Sequence, residues 1–187
     1  MLNVNHNGLH LTLRKGITQQ SAMRKERSAA EIMKTMSVNL LRPDAKLPER
    51  KTAGSVGYDI FACMEEAEIV IDPGEAEIVI DPGETKLIGS GVAIALDPGY
   101  AAFIYARSGL GIKHGIIPAN CVGVIDSDYR GEIIVGLKNT SNAPFTVKDG
   151  DRIAQMVIAK CELPELVITD DLDGTPRGSG GFGSTGS

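Results

Sequence analysis

Residues 91–105 read GVAIALDPGYAAFIY. Two short apolar runs, 91–96 and 102–105, flank Asp97-Pro98-Gly99. Proline presets one turn dihedral and glycine supplies the positive φ that follows, so the tripeptide reads as a turn between two short strands. The same grammar runs through the chain from residue 37. Ile78-Val79-Ile80, 133–137 and 152–159 are apolar runs broken by Gly, Pro, Asp and Asn, and further turn signals stand at Asp72, Asp81 and Lys148. Strands this short and numerous predict an all-β domain: a sandwich, jelly roll or small barrel. With no Trp, four Phe and four Tyr, its core must be aliphatic.

A chain of 187 residues is long enough for one domain with a real core. Its formal net charge is -5, unevenly placed: residues 1–36 carry six Lys/Arg and two Asp/Glu, the remainder thirteen and twenty-two. An acidic body argues against a nucleic-acid surface, because phosphate backbones select basic patches. Cys63, Cys121 and Cys161 are far apart, and neither they nor the pair His6 and His10 form a zinc-ligand pattern. An odd cysteine count without a signal peptide suits a reducing compartment, and no apolar run reaches the ~18–20 residues a membrane helix needs. The expectation is a cytoplasmic protein without membrane contact. Residues 1–36 differ from the rest and form an N-terminal extension, for which disorder, a targeting peptide and a docking helix remain open. Met36 opens a natural start.

Residues 66–74 read EAEIVIDPG, and 75–83 read the same. Two copies of nine are too few for a solenoid. Nine residues added inside one strand would reverse which side chains face the core. As strand plus turn, one copy can loop out as a surface hairpin.

Five segments carry candidate chemistry. Residues 120–132, NCVGVIDSDYRGE, present Asp126, Asp128, Tyr129 and Arg130 at a turn anchored by Val122, Val124 and Ile125. The segment reads either as a plain Asp-Ser-Asp turn or as a nucleoside pocket, with a carboxylate base beside an aromatic platform. In 105–116, YARSGLGIKHGI, Arg107 and Ser108 end a strand before Gly109 and Gly111, and such donors suit phosphate oxygens. In 150–157, GDRIAQMV, Arg152 and Gln155 rim an apolar strand. The tail 177–187, RGSGGFGSTGS, supplies a cation, a ring and two hydroxyls among glycines that let backbone N–H groups approach phosphates, without a Walker pattern. In 53–62, AGSVGYDIFA, Asp59 follows a Gly-rich turn.

Together, in this order and spacing, the five segments closely resemble the five motifs of the trimeric deoxyuridine triphosphatase family over residues 37–187, apart from the doubled nonapeptide. The resemblance implies a distorted jelly roll (β-clip) domain over 37–172 and a flexible Gly-rich lid over 173–187. It also implies a homotrimer whose three active sites each draw on all subunits. The implied reaction is Mg²⁺-assisted hydrolysis of dUTP to dUMP and pyrophosphate, which limits uracil in DNA and supplies dUMP for thymidylate. Carried over, Asp126 is the carboxylate that deprotonates the attacking water and holds the 3′-hydroxyl. Tyr129 packs on deoxyribose and blocks a 2′-hydroxyl, and Asn120 helps read uracil. Ser108, Gly109 and Gln155 resemble phosphate ligands supported by Arg107. Asp59 resembles an outer-shell carboxylate reaching the metal through water. Arg177 resembles the γ-phosphate clamp, Phe182 the lid over uracil, and Gly183, Ser184 and Thr185 phosphate donors. The nearest rival enzyme, a dCTP deaminase of the same fold, would not need the Arg/Phe/Ser tail. A purely regulatory protein would not need the motifs intact.

Overall fold

The Asp97-Pro98-Gly99 turn closes with Gly99 at φ 84° and the Tyr100 N–H donating to the Asp97 carbonyl at 3.2 Å. Asp81-Pro82-Gly83 repeats it, with Gly83 at φ 80° and the Glu84 N–H on the Asp81 carbonyl at 2.9 Å. These are the type II closures that Pro-Gly favours. The computed structural model of the chain describes residues 33, 35–64 and 76–181. Its elements are β1 (Ser37–Leu40), β2 (Tyr58–Phe61), β3 (Glu77–Ile80), β4 (Thr85–Gly89), β5 (Val92–Ala95) and β6 (Tyr100–Tyr105). There follow α1 (Ser108–His114), β7 (Ile116–Pro118), β8 (Gly123–Ile125), β9 (Ile134–Asn139), β10 (Phe145–Lys148) and β11 (Arg152–Lys160).

Every pairing is antiparallel. One sheet runs β2-β11-β6-β8 and a second β4-β9-β7, while β1-β5 and β10-β3 form two ribbons. Both Asp-Pro-Gly turns act as corners. The first takes the chain from β3, paired with β10, to β4, paired with β9. The second takes it from β5, paired with β1, to β6 in the four-stranded sheet. Turns that change sheet fold the strands over one another, and the result is an all-β jelly roll with one short helix.

The core is aliphatic, as the composition requires. Ile60, Ile80, Ile88, Val92, Ile104, Ile116, Ile133, Leu137, Val147, Ile153 and Met156 are all nearly inaccessible and cluster together. Strand alternation selects them: along β9, Val135, Leu137 and Asn139 point inward while Ile134 and Lys138 point out. β11 breaks the alternation at its start. Ile153 and Ala154 are both buried because the register against β2 shifts between Arg152 and Ala154, a bulge that re-aims Arg152.

The second nonapeptide copy is integral to this core. Its Ile80 is fully buried and pairs with Phe145. The buried Asn139 amide donates to the Ile80 carbonyl at 2.8 Å and to Ala143 O at 2.8 Å, and its oxygen accepts from Ser141 N–H and Oγ. The surface hairpin expected of a surplus copy would concern 66–74, which lie outside the described residues.

The segment after Arg107, where the sequence shows only a strand end followed by Gly109 and Gly111, is helical from Ser108. Arg107 stands extended at its N-cap, and Gly115 ends it in the left-handed region at φ 66°, donating to the Gly111 carbonyl. Lys113 and His114 lie in the last turn, where cations complement the helix dipole. Two internal glycines lower helix propensity, so the sequence signal was weak. The N-terminal extension expected over 1–36 falls almost wholly outside the described residues. At its end Met33 and Met36 pack against the core, and the Met33 N–H donates to Tyr100 Oη at 3.2 Å. No helix among the described residues is long and apolar enough to cross a membrane.

Candidate active site

The first group of expected residues gathers where β2, β6 and β11 meet. Asp59 lies opposite Gln155, which in turn lies opposite Tyr105. Asp59 Oδ1 accepts from Arg107 Nε at 3.0 Å and Oδ2 from Arg152 Nη1 at 2.9 Å. Arg107 Nη1 also donates to the Arg152 carbonyl at 3.0 Å, and Gln155 Nε2 to the Ala106 carbonyl at 3.3 Å. A Cβ at Gly57 would lie 2.7 Å from Gln155 Oε1, so glycine there makes room for the amide. Two guanidinium groups against one carboxylate leave a local surplus of one positive charge beside Ser108 and Gly109. A Cβ at Gly109 would meet open space. This half of the site is chemically fit for phosphate oxygens.

Asp59, expected to face a metal, has both oxygens engaged by arginines. Arg152, which the sequence places with Gln155 on the rim of an apolar strand but gives no role, joins Arg107 on Asp59. Its signal was the Arg-x-x-Gln spacing on β11, but only the bulge turns its side chain toward Asp59.

The second group lies on the turn between β7, which pairs with β9, and β8, which pairs with β6, and on the loop after β8. Cys121 takes φ 64°, uncommon for a residue other than glycine, and its N–H donates to the Pro118 carbonyl at 3.0 Å. That turn leaves Asn120 exposed between the two strands. Gly123 sits opposite Ile104, where a Cβ would come within 3.1 Å of the Ile104 side chain. Asp126 is exposed and begins a turn closed by the Tyr129 N–H on its carbonyl at 3.2 Å. Tyr129 Oη donates to the Glu132 carbonyl at 3.0 Å, and Arg130 Nη1 to the Ser127 and Tyr129 carbonyls at 2.7 Å each.

These two groups do not meet within one chain. Ile125 lies opposite Ala102 and Asp126 follows it, whereas Gln155 lies opposite Tyr105 on the other side of β6. At ~3.4 Å per residue, the offset along β6 is about 10–14 Å before the width of the intervening strand is added. Ser108 lies farther along still.

The third group is on the tail. β11 ends at Lys160, well before residue 173, and 162–179 are exposed throughout. Leu166, Val167 and Ile168 are 95%, 84% and 99% exposed. Arg177 Nε donates to the Gly180 carbonyl at 2.8 Å in a local turn. Phe182, Gly183, Ser184 and Thr185 lie outside the described residues.

Comparison with known proteins adds an independent line. A family model described as dUTPase matches residues 43–186. A deoxyuridine 5'-triphosphate nucleotidohydrolase of Desulfitobacterium hafniense is 49% identical over 142 residues, covering 75% of this chain and 87% of that protein. One from Enterobacter sp. (strain 638) is 44% identical over 160 residues, covering 83% and 99%. Among solved structures, a mutant of the Staphylococcus bacteriophage 80alpha dUTPase with dUpNHpp superposes with a TM-score of 0.72. It is 26% identical and covers 83% of this chain and 100% of its own. A mutant dUTPase from phage phi11 of S. aureus, whose structure concerns coordination of a structural Mg(II) ion, gives a TM-score of 0.64 at 25% identity, covering 75% and 99%.

Proposed function

The chain belongs to the dUTPase family and hydrolyses dUTP to dUMP and pyrophosphate; we propose that it does so at a centre shared between copies of the chain in a homotrimer. The observation that carries the shared centre is the separation along β6. Asp126 and Tyr129 stand at one end, and Arg107, Ser108 and Gln155 at the other. Neither half can act on one nucleotide alone, and a neighbouring copy supplies the missing half. The exposed Leu166, Val167 and Ile168 support the same reading, because apolar side chains of a tail gain by burial against another subunit.

In the working centre, Asp126 accepts the proton of the water that attacks the α-phosphorus. A carboxylate is a weak base, so holding water and phosphorus in line contributes much of the rate. The Tyr129 ring packs on deoxyribose, where a 2′-hydroxyl would collide, and Asn120 in the turn before β8 helps read uracil. From another copy, Ser108, the Gly109 N–H and Gln155 take phosphate oxygens, with Arg107 supporting them. Arg177 clamps the γ-phosphate. Phe182, Gly183, Ser184 and Thr185 close over the nucleotide and exclude bulk water.

The residues present fit a Mg²⁺ that arrives on the triphosphate. Mg²⁺ favours oxygen ligands, keeps several waters and binds largely through substrate phosphates. Among the described residues no group of three His, Cys, Asp or Glu could hold a metal. The Asp59 oxygens, each already accepting one guanidinium N–H, retain a second lone pair for a metal-bound water. When bound, the ion offsets charge on the departing pyrophosphate.

Pyrophosphate release from dUTP, UTP, dTTP and dCTP tests the assignment. dUTP should be turned over with UTP and dTTP poor substrates. Comparable turnover of UTP, or deamination of dCTP, would overturn it.

A further inference from the structure

The loop that carries Asp126 and Tyr129 is mostly tied to itself. Among the described residues, the Tyr129 N–H and the Arg130 guanidinium bond to carbonyls within 126–129. Tyr129 Oη is different: it reaches forward to the Glu132 carbonyl. Glu132 in turn is clamped to the body of the fold. Its Oε1 accepts from Arg42 Nη2 at 2.5 Å and from the Gly91 N–H at 2.7 Å, and its Oε2 faces Arg42 Nη1 at 3.4 Å. Arg42 is itself held by the Cys63 carbonyl at 2.9 Å and the Cys63 sulfur at 3.2 Å.

Glycines clear the space this clamp occupies. A Cβ at Gly89 would stand 2.6 Å from Glu132 Oε1 and 2.9 Å from Arg42 Nη2. A Cβ at Gly131 would overlap Tyr129 Oη and come within 2.6 Å of Tyr129 Cζ. The ring therefore lies across Gly131, with its hydroxyl anchored on a carbonyl whose own residue cannot shift. The bidentate, charge-assisted contact with Arg42 is of the strong kind, with both side chains about one-fifth exposed.

We propose that Glu132 and Arg42 are positioning residues that set the sugar selectivity of the reaction by holding the Tyr129 ring in place. The proposal rests on the reading of Tyr129 as the residue that faces the sugar. A ring free to swing would still cover deoxyribose for part of the time but would admit a 2′-hydroxyl. Loss of the clamp should therefore act on discrimination between dUTP and UTP rather than on turnover of both alike.

The test is the ratio of kcat/KM for dUTP to that for UTP, a quantity indifferent to how much of a variant is folded. Tyr129→Phe keeps the ring and removes the anchor on an exposed loop, so folding is not at issue. It should lower the ratio about fivefold, the loss expected from one net hydrogen bond. Glu132→Gln should lower it at least as much, and the double variant no further than the larger single effect, since both act through one contact. Arg42→Lys keeps the charge without the fork and should fall between wild type and Glu132→Gln. An unchanged ratio in Tyr129→Phe, or equal losses on both nucleotides in Glu132→Gln, would overturn the proposal while leaving dUTP hydrolysis by the wild-type protein standing. A wild-type protein inactive on dUTP would remove the functional reading and this inference together.

Discussion

At the scale of single residues, the proposed chemistry rests on Asp126. Asp126→Asn keeps the shape and hydrogen bonding of the side chain but cannot take the proton of water. Turnover of dUTP should fall by about 10²–10⁴, the usual contribution of a general base, while nucleotide binding remains measurable by calorimetry. Near-wild-type turnover would reject Asp126 as the base. Asp126 and Tyr129 were legible in the sequence because both sit in one short segment, and four residues suffice to define their turn. The environment of Asp59 was not legible. Its two partners, Arg107 and Arg152, come from segments 48 and 93 residues away, and no local pattern states which segments will meet. The clamp on Glu132 was hidden for the same reason, since Arg42 is 90 residues distant.

At the scale of elements, the turns were readable and the sheets were not. Asp-Pro-Gly favours a type II closure, but does not state whether the strands on either side will pair with each other. Here, at both described sites, they do not. The nonapeptide repeat belongs to this scale. Its two copies are identical, so removing 66–74 or 75–83 leaves the same sequence, and the one remaining copy must fill the β3 position. That copy still supplies an isoleucine for the Ile80 pocket, the carbonyl that Asn139 bonds, and an Asp-Pro-Gly-Glu corner into β4. The nine-residue deletion should therefore keep dUTP turnover and thermal stability at or above those of the full chain. Removing a single side chain from the same junction should do more harm. Asn139→Ala takes the amide donor from the buried Ile80 carbonyl and should cost about 1–3 kcal/mol, read as a lower denaturation midpoint. A deletion more damaging than Asn139→Ala would show that both copies are integral.

At the scale of the whole molecule, the proposal makes one chain an incomplete enzyme. Its jelly roll is well packed, yet the proposed base and phosphate ligands stand toward different ends of β6, and residues 162–179 of its tail are exposed throughout. Closed symmetric assembly resolves both facts at once, because a rotation that repeats one contact presents every half-site to its complement. Mixed assemblies test that claim most directly. One chain carries Asp126→Asn; the other carries Ser108→Ala together with Gln155→Ala; each alone should be nearly inactive. Coexpressed in equal amounts, they should assemble at random, and about a quarter of the sites should then unite an intact Asp126 with an intact Ser108 and Gln155 from a different chain. The account predicts recovery of dUTP hydrolysis to about that fraction of wild type. A mixture no more active than its two parents would show that each chain completes its own site, and would contradict it.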